Sequence, residues 1–549
     1  MKKKTLLNIK KNDVFPATIT AYTSEGLGIC RIDDTVVFVP ETAIGDELEV
    51  RITKTMPTFA YGRKERLISA SRDRVTNDCP AFPRCGGCDF RHISYEAELE
   101  FKKQRVSDVL HRITGIDLEP EEILGADNTL YYRNKAQFPV QDIKGKPQLG
   151  FYRERSHDII PIEKCMIQDE STAQAMQALT VWMERYSIPA YDEITHNGII
   201  RHLYTRTSKK TGESLICIVT YTERLPHKNE LVNSLLDACP NAVGILQCVN
   251  SIHGNKILSD RFVTLHGKDY VYDYIGDLRF KISAQSFFQI NTEQAYKLYS
   301  KAKEFAGLTG KEDVIDLYCG TGTVGLFMAD KAKSLHGVEI IPEAIEDAKI
   351  NAQLNGINNA SFVADDATGF APKSMGLDNN NTVIFVDPPR KGLTDGLITN
   401  ITDFAPSKVV YISCDPATMA RDLKTFIANG YLPTRCTAVD MFPRTRHVET
   451  VVLLSQLKST DHIKVEIDLS DDDLTPSEAM GTYDDIKKHI YERYQVKVSS
   501  LYISQVKRKL GLPVGECYNK PKNEDARVPN CPEEKEKLIV EALRHFKMI

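Results

Sequence analysis

The sequence predicts an α/β protein whose largest part is a parallel sheet, joined to a small β-barrel, a mixed α+β region and a helical extension. Strand and helix patterns alternate regularly from about residue 285 to 457, as in parallel α/β domains. Short strands between Gly and Pro signals occupy the first 70 residues, which is typical of a barrel. Three short helix patterns follow an acidic stretch near the C-terminus.

Length and composition restrict the function classes. A chain of 549 residues is too long for one core, so three or four domains are expected. No apolar run approaches the roughly 18 residues that span a bilayer, and the opening MKKKTLLNIKKND has too short an apolar part for a secretory signal. We therefore expect a cytoplasmic protein. A net charge of −5 does not point to nucleic acid, but a basic surface can be confined to one face.

The same patterns suggest the domain boundaries. The predicted segments are a barrel at 8–70, a central domain at 71–280, the α/β domain at 281–457, an acidic linker at 458–480 and a helical extension at 481–549. A helix near 94–113 is expected to pack on the α/β domain.

The barrel segment contains five strand patterns and a basic set of side chains: Lys10, Lys11, Arg51, Lys54, Arg63, Lys64 and Arg66. Two interpretations remain open for it. It is either an accessory barrel with a solvated face or an oligonucleotide-binding fold of the OB type.

The α/β segment begins with DVIDLYCGTGTVGLFMA, a buried strand that runs into a Gly-rich turn and an apolar helix. Gly320 and Gly322 allow backbone to approach a ligand closely. Glu339 ends the next strand, where a carboxylate can bond ribose hydroxyls. The spacing also fits G-x-G-x-x-G, so a dinucleotide site is the alternative from this motif alone.

Further strand ends favour a different cofactor. The wider form DLYCGTG resembles S-adenosylmethionine-dependent methyltransferases of Rossmann-like fold. FVADDA places Asp366 at the following strand end, suited to an adenine edge, and VIFVDPPRKGL places Asp387 and two prolines at a fourth. Asp-Pro-Pro resembles the pocket in which methyltransferases hold a planar base.

The stretch VVYISCDPATMARDL places a cysteine between a buried strand and a helix. A lone cysteine is usually structural, but Asp415 and Pro416 are typical of a helix start. Cys414 would then lie at the positive end of a helix dipole, which favours the thiolate. The sequence therefore predicts a reactive thiolate beside the cofactor.

A thiolate beside a methyl donor suits the methylation of uracil. Carbon 5 of uracil is a poor nucleophile, and thiolate attack on carbon 6 activates it. A base must then remove the proton from carbon 5. FPRTRHVETVVLL offers Glu449, which could also be an ordinary residue at a strand start, and His447 as the competing base.

The blocks SFFQINTEQAYKLY, DLYCGTGTVGL, DPPRKGL, ISCDPATMARDL and RHVETV resemble the RNA (uracil-5-)-methyltransferase family, its ribosomal-RNA members most closely. The resemblance covers about residues 8–457. It implies that Cys414 is the nucleophile, Glu449 the proton acceptor, and the barrel a TRAM domain. It implies donor contacts from Gln289, Tyr318, Gly320, Thr323, Glu339, Asp366 and Asp387. Phe287 would support a flipped uracil, the alternative being core packing.

A cysteine-rich loop precedes the predicted helix. Cys79, Cys85 and Cys88 have the spacing C-x5-C-G-G-C, and Cys165 is a possible fourth ligand. Spacing alone leaves zinc and a 4Fe–4S cluster open and favours zinc. The resemblance implies a 4Fe–4S cluster, because the ribosomal-RNA members carry this motif whereas tRNA-modifying relatives lack both cluster and barrel.

YYRNKAQFPV matches another family block, in which Arg133 and Lys135 beside two tyrosines suit single-stranded RNA; a solvated strand edge is the alternative.

The resemblance implies 5-methyluridine formation in 23S rRNA or its precursor particle by a monomer, without membrane or DNA partners. The alternatives are a tRNA-modifying enzyme and a non-catalytic RNA-binding or ribosome-assembly protein. The helical extension departs from the family and receives no role.

Overall fold

The computed structural model describes residues 9–153, 156–370, 376–456, 483–494, 496, 498–510 and 531–545. The chain forms two compact units, Met1–Glu466 and Ile467–Ile549. The acidic linker predicted at 458–480 lies outside the described residues. Within these ranges, every helix is too short or too polar to cross a membrane.

The N-terminal part is a curled six-stranded sheet in the order β1-β5-β6-β4-β3-β2. Its strands are β1 (Val14–Thr18), β2 (Ala21–Tyr22), β3 (Gly28–Ile32), β4 (Thr35–Val39), β5 (Glu47–Thr55) and β6 (Phe59–Ser69). The sequence predicts five strands, and the first of these is divided in the structure. The division occurs at Ile19, whose amide donates to the carbonyl of Asp46 at 3.0 Å.

The central region is a seven-stranded mixed sheet in the order β10-β9-β8-β11-β12-β13-β14, covered by two helices. Along the chain, the elements from this region are α1 (Tyr95–Thr114), β7 (Ile123–Leu124), β8 (Lys135–Ile143), β9 (Lys146–Tyr152), β10 (Ile159–Pro161), α2 (Ser171–Arg185), β11 (Ile200–Thr207), β12 (Ser214–Thr220), α3 (Lys228–Ala238), β13 (Ala242–Val249) and β14 (Phe262–Gly267). Trp182 of α2 is buried in the core between helices and sheet.

A hairpin, β15 (Tyr270–Ile275) and β16 (Leu278–Ser283), leads into an eight-stranded sheet in the order β19-β18-β17-β20-β21-β23-β22-β7. Its further elements are α4 (Thr292–Ala306), β17 (Asp313–Leu317), α5 (Thr323–Met328), β18 (Ser334–Glu339), α6 (Pro342–Leu354), β19 (Ala360–Ala364), β20 (Thr382–Val386), α7 (Asp395–Phe404), β21 (Lys408–Ser413), α8 (Pro416–Ala428), β22 (Tyr431–Val439) and β23 (Glu449–Gln456).

Both faces of this sheet are buried. Val314 packs with α4, α5 and α6 on one face, and its neighbour Ile315 packs with α1, α7 and α8 on the other, because successive side chains of a strand point to opposite faces. The strands β17 to β21 run parallel, whereas β23 runs antiparallel to β21. The predicted α/β class is confirmed.

Two elements that precede this region in sequence complete it. Helix α1 packs against α8, and β7 pairs with β22 at the sheet edge. Helix α1 has an N-cap at Ser94, whose hydroxyl accepts from the Ala97 amide, and ends at Gly115 in the left-handed conformation; both residue types favour these positions.

The described residues of the second unit form three helices where the sequence predicts them: α9 (Tyr483–Tyr494), α10 (Ser500–Lys509) and α11 (Glu533–His545). Their apolar faces form one small core that includes Ile486, Ile490, Ile503 and Ile539.

Candidate active site

The Gly-rich turn after β17 is held open by left-handed backbone. Tyr318, Gly320 and Gly322 have φ of 66°, 53° and 82°, and Gly322 is the N-cap of α5. Among the residues that the structure describes, and apart from the two chain neighbours, no atom lies within 4 Å of where a side chain at Gly320 would begin. The turn therefore presents its backbone to open space, as close approach by a ligand requires.

Glu339, at the end of β18, closes this turn. One carboxylate oxygen accepts from the Gly320 amide at 3.2 Å and the other from the Ile341 amide at 3.1 Å. The predicted acid therefore lies at the turn.

The next two predicted acids lie at their own strand ends. Asp366 is exposed, and hydrogen bonds from the Thr368 side chain and from the Thr368 amide, the latter at 2.9 Å, lower the pKa of its carboxyl. Asp387 follows β20, and burial raises the pKa of its carboxyl to about 7.

Gln289 and Thr323 are joined by a residue that the sequence analysis did not select. The hydroxyl of Tyr299, on α4, lies 3.2 Å from the Thr323 hydroxyl and also interacts with the Gln289 side chain. Tyr299 is fully buried. It therefore fixes two of the predicted cofactor contacts relative to each other.

Two buried carboxyls, Asp316 and Asp387, lie in or directly after neighbouring strands, where burial disfavours their ionised form. Asp316 is buried in β17, and burial raises the pKa of its carboxyl to about 8, with Asp387 and Glu339 adding repulsion. One Asp316 oxygen accepts from the Gly325 amide at 2.8 Å, whereas the other has no hydrogen-bond partner in the described part of the chain. Carboxyls held in this state favour a cationic ligand.

Strand register brings Cys414 and Glu449 together. In the antiparallel pair β21–β23, Ser413 lies opposite Thr450, so the next position along this register pairs Cys414 with Glu449. Side chains directly opposite each other have Cβ atoms about 5 Å apart. The carboxylates of Glu449 and Asp387 are close enough to raise the pKa of the Cys414 thiol.

The prediction of a resting thiolate is wrong. Burial, reinforced by Glu449 and Asp387, raises the pKa of Cys414 to about 12. The helix start does not offset this, because the Asp415 carboxylate already accepts from the Ala417 and Thr418 amides, both at 3.0 Å. Arg390 acts in the opposite direction and lowers the pKa of the thiol.

The two candidate bases differ in their surroundings. Glu449 is 3% exposed, and burial, with a contribution from Asp387, raises its pKa to about 8. Burial and the nearby cations, Arg390 first, lower the pKa of His447 to about 3. His447 lines a separate cavity. A carboxylate with a raised pKa is the stronger base of the two.

That cavity contains all four predicted metal ligands. Cys79, Cys85, Cys88 and Cys165 line a space of about 270 Å³. Burial raises the pKa of Cys88 to about 12. Among the described residues, no group of three or more His, Cys, Asp or Glu side chains is arranged to hold a metal ion.

The predicted RNA contacts have three different environments. Phe287 is 63% exposed, so the core-packing alternative is wrong. Arg133 lines the cysteine cavity rather than the outer surface. Lys135 is half-buried, and burial, with Arg206 and Arg133, lowers its pKa to about 8. Arg133 and Lys135 are both partly buried, so neither lies on a fully solvated strand edge.

The segment with Arg133 and Lys135 lies beside the one with Gln289 and Phe287. Asn134 bridges the two, since its amide donates to the Ile290 carbonyl at 2.8 Å and its side chain to the Gln289 carbonyl at 2.9 Å.

Three functional candidates were missed from the sequence: Tyr299, Asp316 and Arg390. All three lie inside or beside the motifs quoted above. The signals were available for Asp316, a charged residue in a buried strand, and for Arg390, a cation beside a strand-end motif.

Sites of this kind, at the carboxyl ends of parallel strands with a Gly-rich turn and successive acids, define a cofactor-binding α/β enzyme. A family model for tRNA (uracil-5-)-methyltransferases matches residues 94–457, and one for the TRAM domain matches residues 10–64. The chain belongs to the (uracil-5-)-methyltransferase family, carries an N-terminal TRAM domain, and is an RNA methyltransferase.

Similar proteins agree with this assignment. Proteins named uncharacterized RNA methyltransferases from Clostridium tetani and Clostridium acetobutylicum are 43% and 42% identical, over 81% and 82% of this chain and 97% and 99% of theirs. The Pyrococcus abyssi tRNA (uracil-54, C5)-methyltransferase, solved with S-adenosyl-L-homocysteine, is 27% identical with a TM-score of 0.66 and covers 80% of this chain and 99% of its own. Because a tRNA-modifying enzyme matches so much of the chain, the extent of the match alone does not distinguish a tRNA substrate from an rRNA substrate.

Proposed function

We propose that this enzyme transfers a methyl group from S-adenosylmethionine to carbon 5 of uridine in RNA. The observation that carries the proposal is the register of β21 and β23, in which Ser413 lies opposite Thr450, so that Cys414 and Glu449 are the next residues along the two chains, close enough for Glu449 to raise the pKa of the thiol. A buried thiol and a buried carboxyl at adjacent strand ends provide a nucleophile and a base within reach of one planar substrate.

The cleft suits S-adenosylmethionine. The open backbone at Gly320 and the acids Glu339 and Asp366 fit the nucleoside part, and the buried carboxyls of Asp316 and Asp387 fit a positive charge. When bound, S-adenosylmethionine supplies an electrophilic methyl group. The remaining contacts fall on Gln289, Tyr318 and Thr323, with Tyr299 linking the first and last.

Cys414 starts the reaction by losing its proton to solvent and forming a bond from its sulfur to carbon 6 of uracil. The electron pair of the C5=C6 double bond then becomes available at carbon 5, which accepts the methyl group. Burial beside Glu449 and Asp387 raises the pKa of the thiol to about 12, so its ionisation depends on cations beside the sulfur. Arg390 is such a cation.

Glu449, in its ionised form, completes the reaction by taking the proton from carbon 5. The pair of electrons from the C5–H bond restores the C5=C6 double bond, and the C6–S bond breaks to return the sulfur to Cys414. A carboxylate with a pKa of about 8 is a stronger acceptor than His447, whose pKa is about 3.

RNA reaches the site with its target base extruded, because carbon 6 is inaccessible in a stack. Phe287 is exposed to stack on such a base. Basic and aromatic side chains lead to it along the hairpin, where the Arg279 guanidinium lies 3.7 Å from the ring centre of Tyr272 and the Lys281 amine lies 4.9 Å from that of Tyr270. Such surfaces bind single-stranded RNA.

We propose 23S rRNA as the substrate and a 4Fe–4S cluster as a resident group. A zinc ion, with Zn–S bonds of about 2.3 Å, needs four closely gathered sulfurs. The four cysteines instead surround a cavity of about 270 Å³, which favours the larger cluster with Cys79, Cys85, Cys88 and Cys165 as ligands. The cysteine motif supports rRNA, and the match to the Pyrococcus abyssi enzyme makes tRNA the second candidate.

The test uses Cys414→Ala and, as a control at a partly buried cysteine of the other unit, Cys531→Ala. With 5-fluorouridine RNA, which has no proton at carbon 5 to remove, wild type and Cys531→Ala should form a covalent complex and Cys414→Ala none. Mapping 5-methyluridine in rRNA and tRNA, with and without the gene, identifies the substrate. A Cys414→Ala enzyme that still methylates would disprove the mechanism.

A further inference from the structure

The connection that carries Glu449, residues 440–448 between β22 and β23, is held on one side by α1. Within a fully buried cluster, the Lys102 amine donates to Asp440 at 2.6 Å and to Glu98 at 2.7 Å. The same Glu98 oxygen accepts from the Arg444 amide at 2.7 Å. These contacts tie the first half of the connection to the helix.

The cysteine loop holds the second half. Asp89, which directly follows Cys88, accepts from the Arg446 amide at 2.9 Å and from its guanidinium at 3.1 Å. In return, the amides of Asp89 and Phe90 donate to the Arg444 carbonyl at 2.8 and 3.1 Å. Four hydrogen bonds therefore join the cysteine loop to a segment that ends three residues before Glu449.

The position of Glu449 depends on this support. Within the part of the chain that the structure describes, no hydrogen bond reaches its carboxylate. Its placement is therefore set by its backbone, which starts β23 opposite Val439 of β22, directly after the 440–448 connection. Misplacing a catalytic group by about 1 Å can cost on the order of a hundredfold in rate.

We propose that Asp89 and Arg446 are positioning residues for proton abstraction, through which the cysteine loop fixes Glu449 over carbon 5. The inference rests on the proposed function. It concerns only the last step, in which the carbon-5 proton passes to Glu449, the C5=C6 bond re-forms and the C6–S bond breaks. If Glu449 is displaced, methyl transfer still occurs, but methylated RNA stays bonded to Cys414.

The test compares Asp89→Asn with Asp78→Asn. Asp78 is a matched control, since it adjoins Cys79 as Asp89 adjoins Cys88, and its ion pair with Arg91, at 2.6 Å, lies outside the 440–448 connection. Each variant receives ordinary uridine RNA and labelled S-adenosylmethionine for one turnover. We then measure the labelled methyl groups in total RNA and, separately, those in the protein–RNA complex that survives denaturation. The iron content of each variant is measured as well.

Asp89→Asn should increase the fraction of methylated RNA left on the protein about tenfold or more, with first-turnover methyl transfer and iron content as in wild type. Asp78→Asn should not change that fraction. Arg446→Gln, which keeps the amide contact, should give a smaller increase, and Arg446→Lys a near-normal value; these two variants decide the question if Asp89→Asn does not fold.

Two results would overturn the inference: an unchanged adduct fraction, or a parallel loss of methyl transfer and adduct, which is what a purely structural role produces. Failure of the proposed function is recognised separately, because wild type would then form no complex with 5-fluorouridine RNA.

Discussion

Burial of Glu449 makes a prediction about stability that is independent of catalysis. The side chain is 3% exposed and its pKa is raised to about 8, so the ligand-free protein is destabilised when this carboxyl ionises. Glu449→Gln removes the ionisation and keeps the shape of the protonated form. We expect the variant to be unable to release methylated RNA from Cys414. We also expect it to be more stable than wild type at neutral pH.

The sign and size follow from linkage. A carboxyl whose pKa is raised from 4.5 to about 8 binds its proton more tightly in the folded state, so its stabilising contribution is complete below pH 4.5 and is lost as the pH rises to 8. At pH 7, which is about 2.5 pH units above 4.5, each unit costs about 1.36 kcal/mol of this contribution. The wild-type protein has therefore lost about 3 kcal/mol of folding free energy that Glu449→Gln does not lose. At pH 5 the same reasoning gives less than about 1 kcal/mol.

Thermal unfolding of wild type and Glu449→Gln between pH 5 and 8 measures this difference. The midpoint of the variant should exceed that of wild type by several degrees at pH 7, on the order of 5 °C, and the gap should shrink toward pH 5. Glu119→Gln, at an exposed position, is the control and should show no such trend. A gap that is absent or independent of pH would refute the buried-carboxyl argument.

Phe287→Ala should reduce RNA affinity about fivefold or more, since stacking contributes about 1–3 kcal/mol, with an unchanged melting temperature because the ring is 63% exposed; equal binding would exclude the stacking role. Arg390→Gln should move the pH dependence of adduct formation to higher pH, because the guanidinium lowers the pKa of Cys414. Arg390→Lys should not move it, and the rate of adduct formation measured against pH tests both expectations. Lys281→Glu should lower the number of ions released on RNA binding, measured from the salt dependence of the affinity, by about one. The control Lys311→Glu should leave this number unchanged, and equal salt dependence for the two variants would show that the hairpin does not contact RNA.

The α/β region was predictable because its signals are local. A buried strand, a Gly-rich turn and an apolar helix follow one another within DVIDLYCGTGTVGLFMA, and such contiguous patterns identify each strand end and its acid. The pairing of β7 with β22 was not predictable, since two residues near position 123 give no periodic signal and their partners lie more than 300 residues away.

The protonation state of Cys414 was mispredicted for a physical reason. Proximity to a helix start favours a thiolate only if the helix amides face the sulfur. Here Asp415 accepts from those amides, and burial beside Glu449 and Asp387 decides the pKa. Helix capping can be predicted from the sequence, but which carboxylates surround the thiol depends on the tertiary fold.

The register of β21 and β23 explains why the family motif alone could not establish the site. A shift of one residue would turn Glu449 to the opposite face of the sheet, although RHVETV and ISCDPA would be unchanged. The nine-residue connection from 440 to 448 has no tight turn to set that register. The contacts from Lys102 and Asp89 hold this connection, so the cross-strand partner of Cys414 depends on segments more than 300 residues earlier in the chain.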